Sequence, residues 1–228
     1  MQINVVTCHR SPNYLESTME SLRQSDWWRE TTSPVHLLVG SDRMDYVRRY
    51  VGHPRITVVP WHMEKFEPRC SYNVNYSRTL LYGADGAERV VIEDDIEFCR
   101  TWYKQLQPAI TAVRADRKTT PNPERFIISL YACYDLAPLP NAAARYYPHG
   151  KFYGAQGLYF PPYVNEALAG YISEKQNYQR HFGDILINEW CGLNGDCLYA
   201  TARSVVQHRG LVSGASCPFH AAGDFSPD

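Results

Sequence analysis

The chain has 228 residues, 44% hydrophobic and 21% charged, with a formal net charge of -1. That is enough apolar material for one well-buried domain and excludes a disordered chain. The near-neutral total excludes a global field that would draw the protein to nucleic acid or an anionic membrane, and no apolar run is long enough to cross a bilayer.

Seven cysteines stand at 8, 70, 99, 133, 191, 197 and 217 without a CxxC pair, which argues against a zinc site and for free thiols. Met1-Gln2-Ile3-Asn4 lacks the charged start and long apolar stretch of a signal peptide, so the expected location is cytoplasmic, with no membrane partner. The 17 tyrosines and 5 tryptophans suit stacking on flat ligands, and half-buried core positions equally.

Ile3–Thr7 reads as a first strand. Ser11-Pro12 then offers a helix cap and first-turn proline, and Leu15, Met19 and Leu22 recur at helical spacing up to about Ser25. Val35–Gly40 is a second strand, followed by a short helix from Met44 to Tyr50 and a strand at Ile56–Val59. Pro60–Tyr72 has no period and reads as a loop. Asn73–Ala84 is helical, with Val74, Leu80, Leu81 and Ala84 inward.

Next comes Arg89-Val90-Val91-Ile92-Glu93-Asp94-Asp95, an apolar strand running into three acids. Carboxylates crowded at a strand end repel one another unless a cation neutralises them, and hard divalent ions suit such oxygens. The alternative is a solvated acidic turn. Trp102, Leu106, Ile110 and Val113 form the stripe of the following helix, and Arg125–Tyr131 is a further strand.

Ala137–Ala144 is a Pro/Ala-rich surface loop. Phe152–Phe160 reads as a strand broken by Gly154 and Gly157, and a helix follows to about Tyr171. Gly183–Trp190 starts another helix, Leu198–Ala200 and Ser204–His208 are short strands, and the Gly/Ser/Pro-bearing segment from Ser213 is expected to be mobile. Alternating strands and helices predict an α/β fold with a mostly parallel sheet. Ligands then sit beyond the strand ends where Thr7, Asp42, Asp94 and Asp95 fall.

Taken together, the opening strand with Thr7 and Arg10, Gly40-Ser41-Asp42, the Asn75/Arg78 helix and Glu93-Asp94-Asp95 resemble a nucleotide-sugar-dependent glycosyltransferase of the GT-A fold. The acids are similar to the Glu-Asp-Asp form of the DxD metal motif in N-acetylglucosaminyltransferases I and IV. Gln207-His208-Arg209-Gly210 looks like the Gln-His-Gly segment of the type IV enzymes. The resemblance implies a Rossmann-like, mostly parallel central sheet flanked by helices, with a smaller acceptor-side β region. It also implies one domain over 1–228, its nucleotide-sugar half at 1–116 and its acceptor-binding and catalytic half at 117–228. Because no Golgi-type anchor and stem is present in this sequence, a bacterial or viral relative is expected.

The same resemblance implies a UDP-sugar donor, with Mn²⁺ or Mg²⁺, and a hexosyl- or N-acetylhexosaminyltransferase. Asp95 would be the metal ligand, Asp94 would lie nearer the ribose or the metal's waters, and Glu93 behind both. His208 would touch metal or diphosphate, or be an ordinary core histidine, with His220 a weaker substitute. For an inverting reaction the base would be Asp184 or, second, Glu189, although Asp184 in a first helical turn equally complements the helix dipole. Thr7 and Arg10 would contact the nucleobase or ribose, and Asp42 the uracil side. Arg78 would pair with Asp42 or reach a phosphate. Gly154, Gln156 and Gly157 would form the acceptor edge, with Tyr153, Tyr159 or Trp190 as stacking faces.

Two other classes compete: a metal-dependent nucleotidyltransferase or phosphohydrolase, disfavoured by the lack of a Gly-rich phosphate loop, and a GT-A binding protein without turnover. The acceptor is open among a glycan, a protein, a metabolite and a hydroxymethylated base in DNA. DNA would require Arg145, Arg180, Arg203, Arg209 and Lys151 to share one face.

Overall fold

The computed structural model describes residues 1–60, 68–83, 86–116, 124–133, 135–148, 150–174, 183–195, 197–211 and 220–228. Four strands, β1 (Gln2–Thr7), β2 (Val35–Val39), β3 (Ile56–Pro60) and β4 (Arg89–Glu93), run parallel in the order β3-β2-β1-β4. β1 and β2 are buried along their whole length, as expected where helices cover both faces of a parallel sheet. Each buried Val, Leu or Ile there contributes roughly 1.5–3 kcal/mol.

β5 (Ile96–Phe98) follows the acids. The large sheet then continues through β8 (Gly157–Phe160), β6 (Ile127–Ser129), β9 (Leu198–Thr201) and β7 (Ala144–Tyr146). β8 is antiparallel to both β4 and β6, so the parallel run is interrupted on the far side of β4. β10 (Val206–His208) leaves this sheet and pairs antiparallel with β5, forming a small second sheet. The α/β architecture with a smaller β region agrees with the expectation, and strands from both halves of the chain build one sheet.

The helices are α1 (Leu15–Gln24), α2 (Asp26–Glu30), α3 (Pro68–Leu81), α4 (Trp102–Asp116), α5 (Val164–Glu174) and α6 (Gly183–Leu193), with a 3₁₀ turn at Asp45–Tyr50. α1 buries Leu15, Thr18, Met19 and Leu22. It starts three residues later than Pro12 suggested, because the Asn13 side chain takes the Leu15 N–H at 3.1 Å. Ser25 closes α1 and caps α2, a five-residue helix that the sequence pattern did not reveal. Asp26 accepts from Tyr103 N–H at 3.1 Å and Lys104 N–H at 2.9 Å, placing its charge at the positive end of α4.

α3 begins at Pro68 rather than Asn73, so the end of the expected loop is helix, while 61–67 lie outside the described residues. Its inward residues are Asn73, Asn75, Tyr76, Thr79 and Leu80; Val74 is half-buried and Leu81 exposed. The stripe expected on α4 is buried throughout. Ala84 and 212–219 lie outside the described residues. Residues 220–228, expected to be mobile, pack against the body: Gln207 donates to Ala222 O at 3.1 Å and accepts from Ala222 N–H at 2.9 Å, and Arg145 pairs with Asp224 at 2.8 Å.

Candidate active site

Parallel strands put their carboxyl ends on one edge, so Thr7, Gly40 and Glu93 converge there. Gly40 N–H donates to Thr7 O at 2.7 Å, carrying the β1/β2 ladder to its limit. A Cβ on Gly40 would lie 2.7 Å from Asn75 Nδ2, so α3 approaches this edge closely.

Asp94 and Asp95 form the turn between β4 and β5 and are only 3% and 4% exposed. Thr7 Oγ1 donates to Asp94 Oδ2 at 2.5 Å, Cys8 N–H donates to the same oxygen at 3.3 Å, and Arg10 pairs with Oδ1. The main chain of the turn is held as well. Thr18 Oγ1 lies 2.8 Å from Asp94 O and 2.7 Å from Ile96 O, and accepts from Ile96 N–H at 3.1 Å. Nothing in the sequence singled out Thr18, one hydroxyl on the buried face of an ordinary amphipathic helix.

The β5/β10 register sets His208 opposite Ile96, and Arg209 N–H donates to Asp95 O at 2.7 Å. This brings His208 Nε2 to 3.3 Å from Asp95 Oδ2, and Arg10 Nη2 reaches that same oxygen at 3.0 Å. A one-residue slip would turn His208 to the other face. Asp95 Oδ1, in contrast, is buried with no hydrogen-bond partner.

Burial raises the Asp94 carboxyl to about 6 against the pull of Arg10. Burial acts on Asp95 too, but the His208 hydrogen bond and the charges of Arg10 and His208 outweigh it and hold that carboxyl below its usual range. His208 moves up in return, Asp95 prevailing over burial. Burial, then the neighbouring Asp95 charge, pushes Glu93 up to about 7, while Tyr72 Oη donates to its Oε1 at 2.6 Å. Tyr72 ends a stretch of sequence without a hydrophobic period, so the pattern alone does not reveal this contact.

His220 stacks on His208 with centroids 4.8 Å apart and an interplanar angle of 24°. Its Nδ1 is 2.6 Å from Tyr131 Oη, and the edge-on Tyr153 ring has its centroid 4.8 Å away. Burial, then the His208 charge, lowers the His220 imidazole to about 4. Gln156 lies alongside, its Nε2 3.5 Å from His220 Nε2 and its Oε1 buried without a partner. Gly154 takes φ +87°, and the Gln156 side chain folds over it so that a Cβ there would meet Oε1 at 2.1 Å.

At the start of α6, Asp184 Oδ2 accepts from Gly154 N–H at 3.4 Å and Oδ1 from Ile185 N–H at 2.9 Å. The preceding Gly183 packs against Tyr72, where a Cβ would lie 3.3 Å from the ring, and Tyr72 in turn reaches Glu93. Glu189, more than a turn further along, accepts from Tyr171 Oη at 2.9 Å.

The structure therefore brings together Thr7, Arg10, Asp94, Asp95, His208, His220 and Gln156, with Glu93, Gly154 and Asp184 alongside. Asp42 is exposed in the turn after β2, and Arg78 is half-buried in the last turn of α3, where burial lowers its guanidinium. Trp190 is 4% exposed and belongs to the core, as do Tyr159 and Gly157, whose carbonyl accepts from Leu130 N–H. Of the residues named for a DNA face, Arg145 pairs with Asp224 and Arg209 with Glu97, and Arg180 lies outside the described residues.

Could this centre hold a divalent ion? Among the described residues no three His, Cys, Asp or Glu side chains converge into a self-sufficient cage. Asp95 and His208 supply two donors, and an ion that keeps open positions for substrate phosphates needs no more. The unpartnered Asp95 Oδ1 and the bare Cα of Gly210, where a Cβ would lie 2.3 Å from Asp95 Oδ2 and 2.9 Å from His208 Nε2, fit such an occupant.

Neither a protein-family model nor a curated protein matches the sequence. Solved structures do match its fold. GalNAc-T7, crystallised with UDP, GalNAc and Mn²⁺, superposes with a TM-score of 0.62 at 12% identity, over 91% of this chain and 42% of that one. TarS from S. aureus gives 0.53 at 13% identity, over 87% of this chain and 34% of that one. TarS residues 1–349 with UDP gives 0.53 at 13%, over 89% and 58%. The chain thus spans less than two thirds of each of these three structures. No helix among the described residues is long and apolar enough to cross a membrane. With its β3-β2-β1-β4 parallel run, the acids at the end of β4 and the small β5/β10 sheet, the chain has the GT-A fold of nucleotide-sugar glycosyltransferases.

Proposed function

We propose that the protein is a metal-dependent glycosyltransferase that moves a sugar from a UDP-sugar to an acceptor hydroxyl with inversion. The observation that carries this reading is the buried, unpartnered Asp95 Oδ1 beside His208, at the strand-end edge of a GT-A sheet. Two structures of the same fold support the donor: GalNAc-T7 was crystallised with UDP and Mn²⁺, and TarS 1–349 with UDP-GlcNAc.

Asp95 and His208 would hold the ion, Mn²⁺ suiting an imidazole ligand better than Mg²⁺. Bound there, it supplies a Lewis acid for the charge that grows on the leaving diphosphate. Asp94 is held by Thr7 and Cys8 and serves as an acceptor for a ribose hydroxyl, while Asp42 would lie on the uracil side. Gln156 and Gly154 form the acceptor edge. Asp184, half-buried and adjoining that edge, takes the proton from the attacking hydroxyl, while the Glu93 carboxylate is already held by the Tyr72 hydroxyl.

The test is calorimetric titration of UDP, GDP and CMP in Mn²⁺ and then in EDTA. The reading expects UDP to bind only with metal and to fail with Asp95→Ala. Absence of nucleotide binding in both conditions would overturn it.

A further inference from the structure

We propose that Arg10 occupies the acid pair in the free protein and keeps the divalent ion off Asp95 until a nucleotide draws the guanidinium away. This rests on the donor-site reading above and adds an order of binding to it. A single nitrogen, Arg10 Nη2, contacts Asp94 Oδ1 and also Asp95 Oδ2 at 3.0 Å. One permanent positive charge therefore bridges both carboxylates, with His208 on the same Asp95 oxygen. An ion arriving alone must displace a cation that is already hydrogen-bonded and largely buried.

A diphosphate changes that competition. It offers Arg10 an anion that a planar, multi-donor guanidinium grips well. The residue sits on the connection between β1 and α1, its side chain 19% exposed and its guanidinium over the Tyr14 ring, 5.0 Å from the centroid. Tyr14 in turn accepts from Leu211 N–H at 3.2 Å, next to Gly210. Arg10 Nε is buried without a partner, so this guanidinium has a donor that its present position does not use. Arg10 is thus a positioning residue that couples nucleotide to metal. Its removal has opposite effects on the two ligands, which a purely structural role would not produce.

The experiment measures Mn²⁺ affinity from the electron paramagnetic resonance signal of the free ion, with and without UDP, for wild type, Arg10→Gln, Arg10→Lys and Asp95→Asn. Arg10→Gln is expected to bind Mn²⁺ alone about ten-fold more tightly than wild type, while UDP tightens Mn²⁺ far less than it does in wild type. Arg10→Lys, which reaches fewer acceptors at once, should fall between them, and carries the test if the Gln variant does not fold. Asp95→Asn should lose Mn²⁺ under every condition. Mn²⁺ affinity in the Arg10 variants equal to or below wild type without UDP, with Mn²⁺–UDP binding intact in wild type, would overturn this inference alone. Failure of wild type to bind Mn²⁺ even with UDP would overturn the donor-site reading and this inference together.

Discussion

Gly210 backs directly onto the Asp95 carboxylate, leaving a gap too small for a methyl group. A side chain there would push Asp95 and His208 apart, and overpacking of a tight site costs about 1–3 kcal/mol. Gly210→Ala should therefore weaken Mn²⁺-dependent UDP binding sharply while the far-ultraviolet circular dichroism stays that of wild type. Unchanged UDP affinity would mean that the gap is only a packing detail.

Thr7→Val should cost about 1–2 kcal/mol of stability, since it removes one of three donors from a buried carboxylate. Thr7→Ser restores the hydroxyl and should recover most of the loss. Urea unfolding of the three proteins decides it: a Val midpoint equal to that of wild type, with Ser below both, would show that the methyl group, not the hydrogen bond, is what matters.

Asp184→Asn should lower turnover by about 10²–10⁴-fold with little change in UDP affinity, the pattern of a lost general base. Glu189→Gln should change turnover only slightly, because that carboxylate already accepts the Tyr171 hydroxyl. The two variants, compared by steady-state kinetics once an acceptor is found, assign the proton to one helix position or the other.

His36 gives a stability prediction with a defined sign. Asn4 donates both amide hydrogens to Thr79 O and Tyr82 O, so its Oδ1 accepts from His36 Nδ1–H at 2.8 Å. Burial, with Arg89 adding, lowers the imidazole from 6.5 to about 4. The unfolded chain then takes up a proton below pH 6.5 that the folded protein refuses until about 4. The stability is complete above 6.5 and lost as pH falls through that window, by at most about 1.4 kcal/mol per unit. Asp94, raised to about 6, works in the opposite direction, so the quantity to read is the difference between wild type and His36→Gln. A difference independent of pH would contradict the proposal for His36.

Much of this architecture was legible in simple patterns: short apolar runs at β1 and β2, period-3.6 burial at α1 and α4, and polar residues where parallel strands end. What escaped lacks a period. Three residues make β7 and five make α2, too few for a pattern, and α2 exists chiefly because Ser25 and Asp26 satisfy backbone donors around it. In the site, Asp94, Asp95 and His208 were readable as chemistry, but their meeting depends on the β5/β10 register, which spacing does not encode. Trp190 looked like a stacking face because a helix position alone does not reveal which side is buried. His220 could be read only as a weaker substitute for His208, in a composition that reads as mobile, and its segment is fixed instead by the reciprocal amide bonds of Gln207 with Ala222.

Thr7 and His208 are about two hundred positions apart in the chain, yet both act on the same turn after β4. Contacts so distant in sequence form late in folding, since a long loop must close before they repay its lost entropy. The centre is complete only in the folded molecule, because Thr7 and Arg10 come from the start of the chain and His208 from near its end. Nucleotide capture thus becomes a sensor of tertiary integrity: its loss in rising denaturant should coincide with the collapse of the whole sheet rather than precede it.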